Sequence, residues 1–478
     1  MRETISPSRW RDWPASGTLL MVAIVLAGII AWGILTFPTV KVLAVGLGML
    51  CIFLAAWKID VALYCVGFFL VVLQEADTTP GTFFTYLERL NRPNIPSLLE
   101  VLFAVIAVAF FIRYFIMQEG RYSFDSMKIP LTLFFVFLFI ALANGIMDGT
   151  DNIFRKEDFK RFLFPVLFFV TAFNILDTRE KIMRLLGICF WLILAKTYLA
   201  NYYYLKGMGF PYGDYKVAFM ESGDQTLIMT VFVVGISLLA ERKLEWKSWL
   251  FMLWGLAPML FAMMFSYRRN VMLGVILSLC LLLVLSHMDK KIRLLKVFLV
   301  TGLCAFSLMI LKPVTNSMST DVFMKTRIMS VFDSSESSNV AHMNEWKVTV
   351  EDTVKHPWFG LGLGSVHSQV PDAGEINQHT VHNALLMLWM KMGLFALLLF
   401  IWCFYRYCRF GVTEALHHRD PLLTGLFATV GLWMVAMNVG PSWYYYRESC
   451  LIALVMAIVW RLALLGAEAA SGVDREAT

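Results

Sequence analysis

The chain has 478 residues, of which 59% are hydrophobic and only 16% charged, with a mean hydropathy of +0.66. Soluble domains carry about 45–50% apolar and about 25% charged residues, so this composition excludes an ordinary soluble globular protein. The formal net charge of +6 is no nucleic-acid signal, because in a membrane chain the excess Lys and Arg sets orientation.

Arg2, Arg9 and Arg11 precede an apolar run from about Thr18 to Leu35. That run is too long for a signal-peptide core and has no small-residue cleavage site, so it reads as a retained first span. Apolar runs long enough to cross a bilayer then recur along nearly the whole chain. Candidate spans fall near 17–36, 38–56, 59–75, 98–117, 129–147, 161–177, 184–205, 224–240, 247–265, 270–286, 295–312, 381–405, 421–440 and 446–465. The expected fold is an all-α polytopic membrane protein of about 14 transmembrane helices, within 12–14. Its parts are an N-terminal transmembrane bundle (1–312), a large periplasmic loop carrying short helices (313–380), and C-terminal transmembrane helices with a short cytoplasmic tail (381–478). The eight cysteines fall within or at the ends of apolar runs and suggest neither a disulfide framework nor a Cys-based zinc site.

Charge in the short links sets orientation. Arg179, Lys181, Arg184, Arg242, Lys243, Lys247, Lys290, Lys291, Arg293, Lys296, Arg406, Arg409 and Arg419 fall on one side, with the N-terminal arm. That side is the expected cytoplasm and holds both termini, which leaves 313–380 facing outward. The loop 148–160 is basic on the outer face, but Asp148, Asp151, Glu157 and Asp158 offset it. The turn Ser266-Tyr267-Arg268-Arg269-Asn270 has no such offset. Two cations there read either as arginines snorkelling to lipid phosphates or as a fixed guanidinium site for a phosphate-bearing substrate.

Two lysines lie inside spans. Lys196 is below Asn201, Tyr202, Tyr203 and Tyr204, and Lys391 is about 13 Å along the helix from His382. Each needs a partner or a wet cavity, since a charge in the bilayer costs about 2.5–3.5 kcal/mol on insertion scales. Tyr444-Tyr445-Tyr446-Arg447-Glu448 forms an outer aromatic and charged cluster, explained by interface-belt tyrosines or by an anion site using Arg447.

The outer loop has internal order. Met343, Trp346, Val350 and Val354 recur at helical spacing among polar residues, which predicts an amphipathic helix lying on the spans. Pro357 ends it, and Gly360, Gly362 and Gly364 form a turn where backbone can approach a ligand closely. A nucleotide-phosphate loop is rejected, because that fingerprint needs a preceding strand. His382-Asn383 opens the next span. Histidine there is either a helix-start packing residue or a base for a sugar hydroxyl. His379 and His382, with His367 and Glu375 nearby, lack the regular ligand spacing of a zinc helix motif.

Together these pieces resemble the O-antigen ligase and Wzy-type polysaccharide polymerase superfamily, over roughly 260–400. The resemblance rests on Arg269-Asn270-Val271-Met272-Leu273-Gly274, on Arg327-Ile328-Met329-Ser330-Val331-Phe332-Asp333, on Trp346 through His356-Pro357-Trp358-Phe359-Gly360-Leu361-Gly362, and on His382-Asn383 followed nine residues later by Gly393. It implies a GT-C-like, metal-independent inverting glycosyltransferase without cofactors, in a bacterial inner membrane with a periplasmic active site. The implied donor is an undecaprenyl-pyrophosphate-linked oligosaccharide, and the other partners are an acceptor glycan, membrane lipids, and a chain-length regulator and flippase of the same pathway. Arg269 and His382 match the family's catalytic arginine and histidine. Pyrophosphate contacts are expected from Arg268, Arg269, Arg327 and Arg447. Candidates to position substrate or acceptor are His342, Trp346, Asn383, His379 and Tyr204. The chain departs from the pattern at His342, where members often carry arginine, and at Ala396, where glycine, threonine or tyrosine is expected. The second departure favours a polymerase of lipid-linked repeat units. The alternatives are an O-antigen ligase acting on lipid A core and a lipid-linked-oligosaccharide flippase.

Overall fold

The computed structural model describes residues 58–72, 98–116, 128–205, 210–212, 215–217, 222–241, 245–266, 269–310, 337–368, 379–418, 420–439 and 446–476. The expected spans at 17–36 and 38–56, together with Arg268 and Arg327, lie outside the described residues. The other expected spans are helical over most of their described residues.

In chain order the helices are α1 (Ile59–Val72), α2 (Leu98–Phe111), α3 (Lys128–Met147), α4 (Asn152–Ile175), α5 (Arg179–Leu205), α6 (Ser222–Glu241), α7 (Trp246–Phe251) and α8 (Ala257–Phe265). They continue with α9 (Arg269–Leu285), α10 (Met288–Ile310), α11 (Ser337–Thr353), α12 (Ala384–His418), α13 (Pro421–Ala428), α14 (Val430–Val439) and α15 (Tyr446–Glu476). A small antiparallel hairpin, β1 (Phe210–Tyr212) with β2 (Tyr215–Val217), sits between α5 and α6. Among the described residues seven helical stretches are long and apolar enough to cross a membrane, and Ile59–Val71 and Met272–Leu285 are shorter apolar helices. The chain is therefore a multi-pass helical membrane protein.

Helix starts follow ordinary capping chemistry. Asp151 accepts from the Ile153 amide at 2.6 Å, and Asp420 accepts from Leu422 at 3.0 Å with Pro421 in the first helical position. The apolar core runs through α1, α4, α5, α6, α13 and α15, with α15 lying along α4 and α13 along α6.

Polar contacts sort the helix ends into two groups. At one end the tail of α1, the upper part of α5, and the starts of α6 and α15 converge, as Lys196, Asp224, Leu70, Val71 and Arg447 meet. Lys160 of α4 bonds Glu100 of α2 at 2.8 Å, and the Tyr446 ring stands edge-on to Phe103 and Phe164, both at 5.5 Å. At the other end Arg179 pairs with Asp420 at 2.6 Å, Lys290 pairs with Glu241, Ser237 donates to Pro421 O, and Arg461 reaches Asp177 O.

α5 and α8 run parallel: Tyr198 donates to Trp254 O, Asn201 to Pro258 O, and Tyr204 packs on Phe265. Arg269, opening α9 just after α8, therefore lies at the first end of the bundle, with the start of α12.

The helix expected in the outer loop forms as α11, but its buried side differs from the expected one. Met343 and Val354 are 51% and 57% exposed, whereas Glu345, Thr349, Asp352 and Thr353 are buried. The reason is electrostatic: the inward side meets donors, which a carboxylate satisfies and a methionine cannot.

Candidate active site

The glycine-rich turn fastens the loop to the bundle. Leu363 N donates to Ala141 O at 2.9 Å in α3, and Leu361 N donates to Met390 O at 2.7 Å in α12. Leu394 N and the Trp389 indole both donate to Pro357 O. The segment 357–364 thus threads between α3 and α12, backbone against backbone. A Cβ on Gly362 would stand 2.4 Å from Gly145 N, and Gly362 has a φ of +85°. The close approach expected for these glycines is therefore made to two helices of the same chain.

Gly393 answers from the other side, with φ +84° and ψ 175° inside α12, a conformation essentially confined to glycine. Its missing side chain makes room for Trp358 O. The break divides α12 into a short first piece, 384–392, and the long piece that follows. The first piece starts at Asn383, whose side-chain oxygen accepts from Leu385 N and Leu386 N, both at 3.0 Å. The observed place of Asn383 is thus a helix cap.

His382, immediately before that cap, faces Glu345 of α11. Its Nδ1 lies 3.1 Å from both carboxylate oxygens, and its backbone N–H donates to Oε2 at 3.2 Å. Among the described residues nothing hydrogen-bonds Nε2, and the His382 side chain is 35% exposed. Two more imidazoles flank the carboxylate: His342 Nδ1 at 3.7 Å and the fully buried His367 Nε2 at 3.9 Å. The rings of His342 and His382 are 4.6 Å apart. Burial alone would raise the Glu345 carboxyl, but the imidazoles of His342 and His382 outweigh it and bring it down to about 2. Glu345 is therefore an anion at neutral pH. The carboxylate can only accept, so Nδ1 of His382 donates to it, and Nε2 is the nitrogen left over on a half-exposed side chain.

His379 turns into a different cluster. It stacks on Phe154 at 4.2 Å, its Nε2 lies 3.1 Å from Asp158 Oδ1, and its Nδ1 lies 3.3 Å from Lys391 Nζ. Lys391 completes the group, 3.0 Å from Asp158 Oδ2 and donating to Ser365 O, and Gly364 N donates to Asp158 at 2.7 Å. Burial, the largest influence, pushes His379 below its ordinary value, so the ring is neutral. Lys391 thus finds the buried partner its position in a span demanded.

The remaining expected site residues are dispersed. Trp346 is half-buried beside Glu345 and packs on the smaller apolar cluster. Tyr204 is 5% exposed among Phe261 and Phe265. Arg269 is described as the first residue of α9. Arg447 is 2% exposed and donates to Asp224, Leu70 O and Val71 O, while Lys196 holds the same Asp224 oxygen at 2.7 Å. Arg447 is thus ion-paired with a buried carboxylate that it shares with Lys196.

Sequence reasoning passed over Glu345 and Asp158. The available signal for Asp158 was Lys391, whose charge required an anion.

The histidine of a His-Asn-nine-residues-Gly pattern, a carboxylate behind it and an arginine-led helix share one end of a membrane bundle. Residues 254–401 match the family model described as O-antigen ligase (Wzy_C). The chain carries an O-antigen ligase family domain. No curated protein matches the chain. The Wzy_C region spans α8 to the long piece of α12 and contains Arg269, Glu345, His382 and Lys391, whereas Asp158 lies outside it. The match indicates an O-antigen ligase or polymerase type of function. As for metals, His342, Glu345 and His382 of the Wzy_C region bring ligand atoms within 4.8 Å of one another, a two-histidine, one-carboxylate set that zinc can use. A metal on Nδ1 of His382 would displace the Glu345 contact and leave the proton on Nε2. Metal binding and general-base action therefore exclude each other at this ring.

Proposed function

We propose that this protein is an inverting glycosyltransferase that polymerises oligosaccharide repeat units carried on undecaprenyl pyrophosphate, at the periplasmic face of a bacterial inner membrane. The observation that carries this reading is the His382–Glu345 dyad, which lies within the Wzy_C region at the bundle end where α9 starts. The links at the opposite end hold Arg179, Lys181, Arg184 and Lys290, which supports placing that end in the cytoplasm.

The chemistry is a displacement at the anomeric carbon. An acceptor sugar hydroxyl forms the new C–O bond while the bond to pyrophosphate breaks, and the leaving group keeps the electron pair. The hydroxyl proton passes to Nε2 of His382, and Glu345 stabilises the imidazolium that results. Negative charge growing on pyrophosphate calls for preplaced guanidinium groups, a role for Arg269, Arg268 and Arg327. His342 sits on the same side as His382 and is suited to positioning the acceptor. It is too close to His382 to act on the leaving group, which departs from the opposite face of the sugar.

Purified protein given undecaprenyl-pyrophosphate repeat units alone tests the reading: lengthening chains support it, and intact repeat units refute it. The ligase reading is favoured by the description of the matched family; it predicts product only when a lipid A core acceptor is added. A His382→Ala protein that releases lipid pyrophosphate normally would remove His382 from the mechanism, whereas a wild-type protein that moves the lipid-linked oligosaccharide across a membrane and releases no lipid pyrophosphate would be a transporter.

A further inference from the structure

We propose that Asp158, outside the Wzy_C region, is a positioning residue for the reaction at His382, working through Lys391 and His379. The proposal rests on the His382–Glu345 reading above and adds a component from α4.

Asp158 is fully buried and is the junction of three segments. It accepts from the Gly364 amide at 2.7 Å, pairs with Lys391 Nζ at 3.0 Å and lies 3.1 Å from His379 Nε2. Lys391 in turn donates to Ser365 O and reaches His379 Nδ1 at 3.3 Å. Two of the segments gathered here also deliver His367 and His382 to Glu345. His367 is two residues beyond Ser365, and His382 is three residues beyond His379, a reach of about 10 Å at most. Val381, between them, is completely buried. The backbone carrying His382 is therefore fixed at both ends of a short run, by Asp158 through His379 and by the cap at Asn383.

The ring of His379 faces two different charges: Nδ1 accepts from the Lys391 ammonium at 3.3 Å, and Nε2 lies 3.1 Å from the Asp158 carboxylate. Stability alone is a poor reason for this cluster. A buried ion pair is often no more stabilising than apolar residues of the same volume, because desolvation offsets the attraction. Geometry is a better one, since the carboxylate aligns loop and helix at a place where a catalytic group must be held closely.

The experiment separates the two. Asp158→Asn strands a buried ammonium and lowers the melting temperature, and Lys391→Met strands a buried carboxylate and does the same. The pair Asp158→Asn with Lys391→Met removes both charges and recovers the melting temperature. Positioning predicts that this recovered double variant still turns over about 10–100-fold more slowly, with KM for the lipid-linked donor unchanged, and that Asp158→Glu recovers less activity than stability. A double variant with wild-type kcat overturns the proposal and leaves the pair a matter of folding. His382→Ala, measured beside it, keeps the failures apart. If His382→Ala is inactive and the double variant fully active, only the role of Asp158 falls. If His382→Ala is fully active, the dyad reading itself falls.

Discussion

Nδ1 of His382 is equidistant, at 3.1 Å, from both oxygens of the Glu345 carboxylate. A histidine held this way has one nitrogen fixed and the other presented to substrate. Glu345→Gln keeps the volume and removes the charge, so the ring loses its anchor and the imidazolium its counter-ion. The expected outcome is a fall in kcat of about 100-fold or more with little change in KM, measured by glycan elongation from a lipid-linked repeat unit. Unchanged kcat would remove Glu345 from the mechanism.

Acid should weaken the fold in two steps. His379 is pushed below its ordinary value, so the unfolded chain binds its proton first and the associated stability, complete above about pH 6.5, is lost as pH falls. Glu345 is held at about 2, so its contribution is complete above about pH 4.5 and is lost as pH falls towards 2. Melting temperature followed against pH should therefore decline on acidification and never on moderate alkalinisation. His379→Gln should flatten the upper step and Glu345→Gln the lower.

The glycines make a graded test. Gly393→Ala places a Cβ 2.2 Å from Trp358 O at a backbone conformation other residues avoid, and it should cost about 3 kcal/mol or more. Gly149→Ala also has positive φ, +66°, but nothing within 4 Å of its new carbon, so it should cost only about 1–2 kcal/mol. Denaturation in detergent would rank them, and equal losses would contradict the threading of the loop through the bundle.

The shared carboxylate of Asp224 predicts an order. Asp224→Asn leaves the buried Arg447 and the half-buried Lys196 without this anion and should be the most destabilising of the three removals, at about 3–5 kcal/mol. Arg447→Met and Lys196→Met each leave one cation still paired with Asp224, so each should cost less. If Arg447→Met kept full stability and instead raised KM for the lipid-linked donor, Arg447 would belong to an anion site after all.

Helix content was legible wherever the apolar runs were long, as at 129–147, which forms α3, and 224–240, which forms α6. The site was legible at His382, because a polar pair opening an apolar helix is conspicuous. Its partner was not, because Glu345 sits in a stretch whose local pattern, Met343 to Val354, points the wrong side inward. Local periodicity reports hydrophobic burial and carries no record of the imidazoles of His367 and His382 arriving from elsewhere in the chain. Asp158 was hidden for a similar reason: among Arg155, Lys156, Lys160 and Arg161 it looked like a surface counter-charge. Only the fold shows that its true counterpart is 233 residues further on, at Lys391.

The interruption of α12 at Gly393 has a metrical consequence. From that glycine back to the cap, the short helical piece is a ruler, clamped at one end by the chain that crosses it at Trp358 and read at the other by His382. Adding or deleting one residue would swing everything upstream by about 100° and slide it by about 1.5 Å. The imidazole would then face away from its carboxylate even though every side chain was still present. The number of residues between the two ends therefore decides where the imidazole of His382 points.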